Sequence, residues 1–166
     1  MRISCLQENL ATALGFVGRA VATRTTLPIT QNVLISTDQS RLKLSATNLE
    51  IAISTWVGAQ VEEEGSLTVP ARLLTELVNS LPADRIDLDT SEKSTTLAVN
   101  CARFNAKING TEAEDFPPIP SVETGMIGKI KPQILSDAIT HVAFAAATED
   151  SRPVLTGVKV EITEDE

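Results

Sequence analysis

The sequence predicts an α+β fold of duplicated strand–helix–three-strand units, with helices on one face of antiparallel sheets. Three observations predict it. Apolar residues alternate with polar ones in short runs, the period of half-buried strands. Those runs fall into the order strand, helix, three strands, and the order occurs twice within residues 1–115. Finally, the first 37 residues recur without a gap 125 positions later, pairing Leu10 with Leu135, Ala13 with Ala138, Val17 with Val142, Pro28 with Pro153 and Val33 with Val158. A period this long indicates duplicated domains rather than a short solenoid repeat.

In order, Met1–Leu6 reads as a strand. Glu8–Val21 carries Leu10, Ala13, Leu14, Val17 and Val21 at helical spacing. Residues Arg24–Asn32 contain Pro28 and no periodicity, so they form a loop. Three alternating strands follow, marked by Val33/Ile35/Thr37, Leu42/Leu44/Ala46 and Ile51/Ile53/Thr55, the third continuing through Trp56 to Val61. Asp38-Gln39-Ser40 and Thr47-Asn48 supply turn chemistry, and Glu62-Glu63-Glu64-Gly65 is a charged turn. The plan then repeats: Leu67 and Val69 make a brief strand and Pro70 opens a helix. That helix carries the stripe Leu73, Leu74, Leu77, Val78 and Leu81 and ends near Pro82. Strands are expected at Ile86–Leu88, Thr96–Val99 and Ala102–Ile108.

The prolines of Asp115-Phe116-Pro117-Pro118-Ile119-Pro120-Ser121 suit neither ladder nor helix, so this segment is expected to be an interdomain linker. Met126–Lys131 begins the cycle again. A helix over Pro132–Ala147 follows, with the stripe Ile134, Leu135, Ala138, Ile139 and Val142. A loop, Thr148–Pro153, and a strand, Val154–Ile162, complete it. The expected domains are therefore a complete one over residues 1–121 and the truncated start of a second over 122–166. The helix stripe of that second part is expected to lack a covering sheet, so residues 126–166 should promote self-association.

Composition bounds function. The 166 residues are 42% hydrophobic, enough for one sizeable core and part of another. Fourteen basic against 22 acidic residues give a net charge of −8, which by itself argues against a nucleic-acid partner, although a ring or groove can be basic on one face alone. Four Phe, one Trp and no Tyr give no stacking surface for single strands. Cys5 and Cys101 lie in apolar alternating runs and read as small buried hydrophobes. No signal peptide or bilayer-length apolar run is present, which with two thiols indicates the cytoplasm. His141 is the sole histidine, and no residues have metal-ligand spacing, a phosphate-binding glycine loop or an activated nucleophile. Nothing here indicates catalysis or a cofactor.

Several motifs carry a resemblance. Arg24-Thr25-Thr26-Leu27-Pro28-Ile29 followed by Asn32-Val33-Leu34 resembles the first loop of the bacterial DNA polymerase III beta subunit, the replicative sliding clamp. Thr47-Asn48-Leu49-Glu50 resembles a turn between its strands, and Thr68-Val69-Pro70-Ala71-Arg72 the start of its second helix. Glu114-Asp115-Phe116-Pro117 resembles the end of its first domain, and Arg152 with Leu155 and Gly157 a loop of the second. The set is collinear over the whole chain. The resemblance implies the DNA-clamp fold, in which three domains make a subunit and two subunits close head to tail around duplex DNA. It further implies a non-catalytic processivity factor that tethers the DNA polymerase III catalytic subunit, is placed by a clamp loader, and docks other replication and repair proteins through short peptides.

Carried over residue by residue, the resemblance makes Arg24, Arg72 and Arg19 the expected DNA contacts. Glu149, beside Asp150, stands where many relatives carry a polar or basic loop residue. Arg152 and Leu155 fall at the edge of the partner-peptide pocket, while Phe104, Ala106 and Ile108 fall on the strand that pairs across the subunit interface. Plainer roles compete: solvated arginines, a strand-core leucine, an ordinary edge strand. Two other functions also compete, an adaptor of the same fold that binds partners but never DNA, and a small α+β enzyme.

Overall fold

The computed structural model describes residues 1–23, 25–90, 95–120, 128–149 and 151–161. The chain divides into two compact units, Met1–Pro120 and Ser121–Glu166.

The first unit contains β1 (Arg2–Leu6), α1 (Gln7–Val17), β2 (Asn32–Asp38), β3 (Arg41–Thr47), β4 (Ala52–Val57), β5 (Gln60–Glu63), β6 (Ser66–Pro70), α2 (Ala71–Ser80), β7 (Arg85–Asp89), β8 (Thr96–Cys101) and β9 (Phe104–Asn109). One sheet runs β5-β1-β7-β8-β9 and the other β4-β3-β2-β6, with antiparallel pairing throughout. The two halves exchange their first strands: β1 pairs with β7, and β6 pairs with β2. Neither half can therefore form its sheet alone. A single bridge between Thr68 and Thr111 extends the second sheet beyond β6.

Alternation sets the faces. Ile3, Ile35, Leu42, Leu44, Ile86, Leu88 and Leu97 point to one shared core and are almost wholly buried. There they meet Leu10, Leu14 and Val17 of α1 and Leu74 and Val78 of α2. Each such side chain contributes about 1.5–3 kcal/mol by leaving water. Cys5 and Cys101 belong to the same core.

Turns follow side-chain chemistry. Gln39 and Ser40 both adopt positive φ between β2 and β3, the two-residue hairpin geometry that matches strand twist. In the next turn Asn48 Oδ1 accepts from the Glu50 and Ile51 amides at 3.0 and 2.8 Å, and Thr47 Oγ1 accepts from the Leu49 amide at 3.0 Å.

Several boundaries differ from the sequence reading. The expected strand through Val61 is two strands: β4 pairs with β3 and, after Gly58-Ala59, β5 pairs with β1 in the other sheet. A chain changing sheets has to leave its first ladder. The first helix is α-helical only to Val17 and tightens into a 3-10 turn at Gly18–Ala20, where glycine disfavours further α-helix. The expected loop after it includes a 3-10 turn at Pro28–Gln31. Pro70 ends β6, opposite Asn32, and caps α2 rather than occupying its first turn. In the expected linker, Phe116 is buried, which fastens the start of that segment to the first unit.

The second unit holds α3 (Pro132–Ala143) and a 3-10 turn at Pro153–Thr156. The helix stops short of Ala147 because the Ala145 and Ala146 amides close tighter bonds to Val142 and Ala143. Residues 128–131 and 158–161 are not strands: among the described residues no neighbour offers them a ladder. Residues 154–156 of the expected 154–162 strand lie instead in that 3-10 turn, and residues 126–127 and 162 lie outside the described residues. Ile134, Leu135, Ile139 and Val142 are all exposed.

Candidate nucleic-acid interface

The exposed side of α2 is built by elimination. Ala71, Leu74 and Val78 take the buried side, which turns Arg72 and Glu76 outward one helical turn apart. The Arg72 Nε donates to Glu76 Oε1 at 2.7 Å, with the two side chains 90% and 61% exposed. This hydrogen bond, and then the carboxylate's charge, raise the Arg72 pKa above its ordinary value. On α1, burial of Leu10, Ala13, Leu14 and Val17 leaves Glu8, Asn9, Thr12 and Phe16 facing out. Glu8 is that helix's only charged residue, and Arg19 follows in the exposed 3-10 turn. The two helices with this turn thus carry two arginines and two glutamates.

The two helices are fastened at their ends. Gln7 Nε2 donates to the Val78 carbonyl at 2.8 Å, and the Gln7 amide donates to the Asp84 carbonyl at 3.0 Å. The loop after α1 is fixed by buried Thr30, whose Oγ1 donates to the Leu27 carbonyl at 2.8 Å and lies 3.1 Å from Thr25 Oγ1. The Ala22 amide donates to the Thr30 carbonyl at 3.1 Å. Arg24, in that loop, lies outside the described residues.

Strand β9 forms one edge of its sheet. Its register sets Phe104, Ala106 and Ile108 opposite Cys101, Val99 and Leu97, so all three share the core-facing side. Phe104 is 46% exposed and Ile108 only 7%. Ile108 therefore supports the edge from within its own unit, while Phe104 leaves apolar surface open. The Arg103 guanidinium lies over the Phe104 ring, 6.0 Å from its centre.

In the second unit Arg152 precedes the 3-10 turn and its carbonyl accepts from the Leu155 amide at 3.0 Å. The Leu155 carbonyl accepts from the Ala147 amide at 2.8 Å. Together with Thr148, Glu149 and Ser151 these residues line a shallow groove. Asp150 lies outside the described residues.

The sequence reading names Arg72 as a DNA contact or a surface residue and misses its partner Glu76. The signal was available in their four-residue spacing. Among the described residues no His, Cys, Asp and Glu cluster could hold a metal, and no helix is long and apolar enough to cross a membrane. Burial, and then the charge of Asp87, push the Cys5 thiol up to about 11, so it is a poor nucleophile.

Residues 1–120 match the family of the DNA polymerase III beta subunit N-terminal domain, and residues 129–166 that of its central domain. The beta sliding clamp of Synechococcus elongatus is 33% identical over 99% of this chain and 44% of its own length. A crystal structure of the DNA polymerase sliding clamp from Caulobacter crescentus superposes with a TM-score of 0.87 at 32% identity, over 95% of this chain and 43% of that one. That of the DNA polymerase III subunit beta from Pseudomonas aeruginosa gives the same TM-score, identity and coverage. The chain thus spans less than half the length of these relatives. Two successive matches in family order, on a fold that superposes with solved clamps, mean that this chain belongs to the DNA polymerase III beta subunit family.

Proposed function

We propose that this chain is part of a replicative sliding clamp, a non-catalytic processivity factor of bacterial DNA replication. In this reading residues 1–121 are the first clamp domain and 122–166 the start of the second. Two intact subunits close into a ring around duplex DNA. The ring tethers the DNA polymerase III catalytic subunit after placement by a clamp loader, and docks other replication and repair proteins, all in the cytoplasm. The observation that carries the reading is the order of the two domain matches, N-terminal then central, along one chain.

The geometry of the first unit supports it. A sliding ring is retained by topology and needs only weak, sequence-blind attraction to phosphates. Arg72, Arg19 and Arg24 are the proposed phosphate contacts. Phe104 and Ala106 form the open part of the proposed subunit interface, with Ile108 behind them. Arg152 and Leu155 border the proposed peptide pocket. The adaptor reading draws on the balanced charge of α1, α2 and the turn after α1.

Photocrosslinking separates the two. A photoreactive residue at position 72 of the intact, DNA-loaded protein should capture the duplex. One at position 100, on the sheet side away from the core, should not. Equal capture from both, or none from position 72, would defeat the clamp reading.

A further inference from the structure

We propose that Glu76 competes internally with DNA phosphate for Arg72, and so sets how firmly the first domain holds the duplex. This rests on α2 facing DNA, as proposed above. The Glu76 carboxylate sits 2.7 Å from Arg72 Nε, on the planar edge through which a guanidinium engages carboxylates and phosphates alike. A phosphate binding through Nε would have to displace it.

Three features make the arrangement a competition rather than a permanent lock. Both side chains are exposed, and an exposed pair four residues apart is weak, so phosphate can displace the carboxylate. Arg72 also stands in the first turn of α2, where the helix's positive end disfavours a cation. Glu76 offsets that repulsion while DNA is absent. Finally, Arg72 is the only cation on α1 or α2, since the other charges of these helices are Glu8 and Glu76. Pairing it removes the two helices' whole positive charge. The expected consequence is a resting grip low enough for free sliding, with Arg72 engaging phosphate transiently.

The test measures binding of the intact protein to a short labelled duplex of mixed sequence across a salt series. It compares Glu76→Gln, Glu76→Asp, Arg72→Gln and the Arg72→Gln/Glu76→Gln double variant. Glu76→Gln should tighten binding about twofold at low salt, the scale of one weak surface pair. It should also steepen the slope of log K against log salt by up to about 0.9 per freed arginine. Glu76→Asp should retain part of the restraint. In the Arg72→Gln background the Glu76 substitution should have no further effect.

An equal gain in that background would mean general charge repulsion and overturn the competition. So would unchanged binding by Glu76→Gln where Arg72→Gln weakens it. If Arg72→Gln itself changes nothing, the placement of α2 toward DNA fails and the competition fails with it. Unchanged thermal melting shows that the substitutions leave the fold intact.

Discussion

The side-chain amide of Gln7 donates to the Val78 carbonyl at 2.8 Å, joining the first residue of α1 to the last turn of α2 across 71 positions of sequence. Gln7 is itself buried. The bond links the two halves of the duplicated unit at their helices, the elements proposed to face DNA. Gln7→Ala removes it, while the Val78 carbonyl keeps the Leu81 amide as a donor. The expected cost is therefore one hydrogen bond, about 1 kcal/mol, read as a lower urea midpoint with unchanged slope.

Gly110 holds the junction between the sheets. A Cβ there would lie 2.2 Å from the Thr68 carbonyl oxygen, the acceptor of the Thr111 amide. Gly110→Ala should separate Thr68 from Thr111 and destabilise the first unit by about 2–4 kcal/mol. Hydrogen exchange should show faster exchange at the Thr68 and Thr111 amides. A variant as stable as the parent would show that the junction tolerates displacement.

Much of this fold was legible because alternation and helical spacing report burial directly. Val33, Ile35, Leu42 and Leu44 announce their strands, and the 125-residue repeat announces duplication. The exchange of β1 and β6 between sheets was not legible, because periodicity says which face a residue takes and not which strand lies beside it. The break at Gly58-Ala59 was hidden for the same reason. The strand expected after Pro153 fails for lack of a ladder partner among the described residues. At the candidate site, residue type marked Arg72. Its pairing with Glu76 was legible only as a four-residue spacing on the expected helix, and the 2.7 Å contact makes it a hydrogen bond.

Stability should depend on pH through Cys5. Burial, and then Asp87, push its thiol up from an ordinary value of 9.0 to about 11. Between about pH 9 and 11 the native thiol keeps a proton that the unfolded chain has lost. Stability contributed by the neutral thiol is complete below this window and falls as pH rises through it, by about 2–3 kcal/mol in all. Urea midpoints should decline across the window, and Cys5→Ala should flatten the decline.

At the proposed subunit interface, Phe104→Asp replaces open apolar surface on β9 with a carboxylate that the joined ring would have to bury. Ring dissociation should rise by tenfold or more, about 1.4 kcal/mol. Analytical ultracentrifugation of the intact protein should show this. An unaltered dimer would place the interface elsewhere.

The central claim is topological, so its most direct test is topological too. The intact protein, loaded by its clamp loader onto nicked circular duplex, is gel-filtered in high salt, where phosphate attraction is screened. The DNA is then cut once. A sliding clamp stays on the circle and runs off when the circle is opened. Retention on the cut DNA, or loss from the intact circle, would contradict the proposed function.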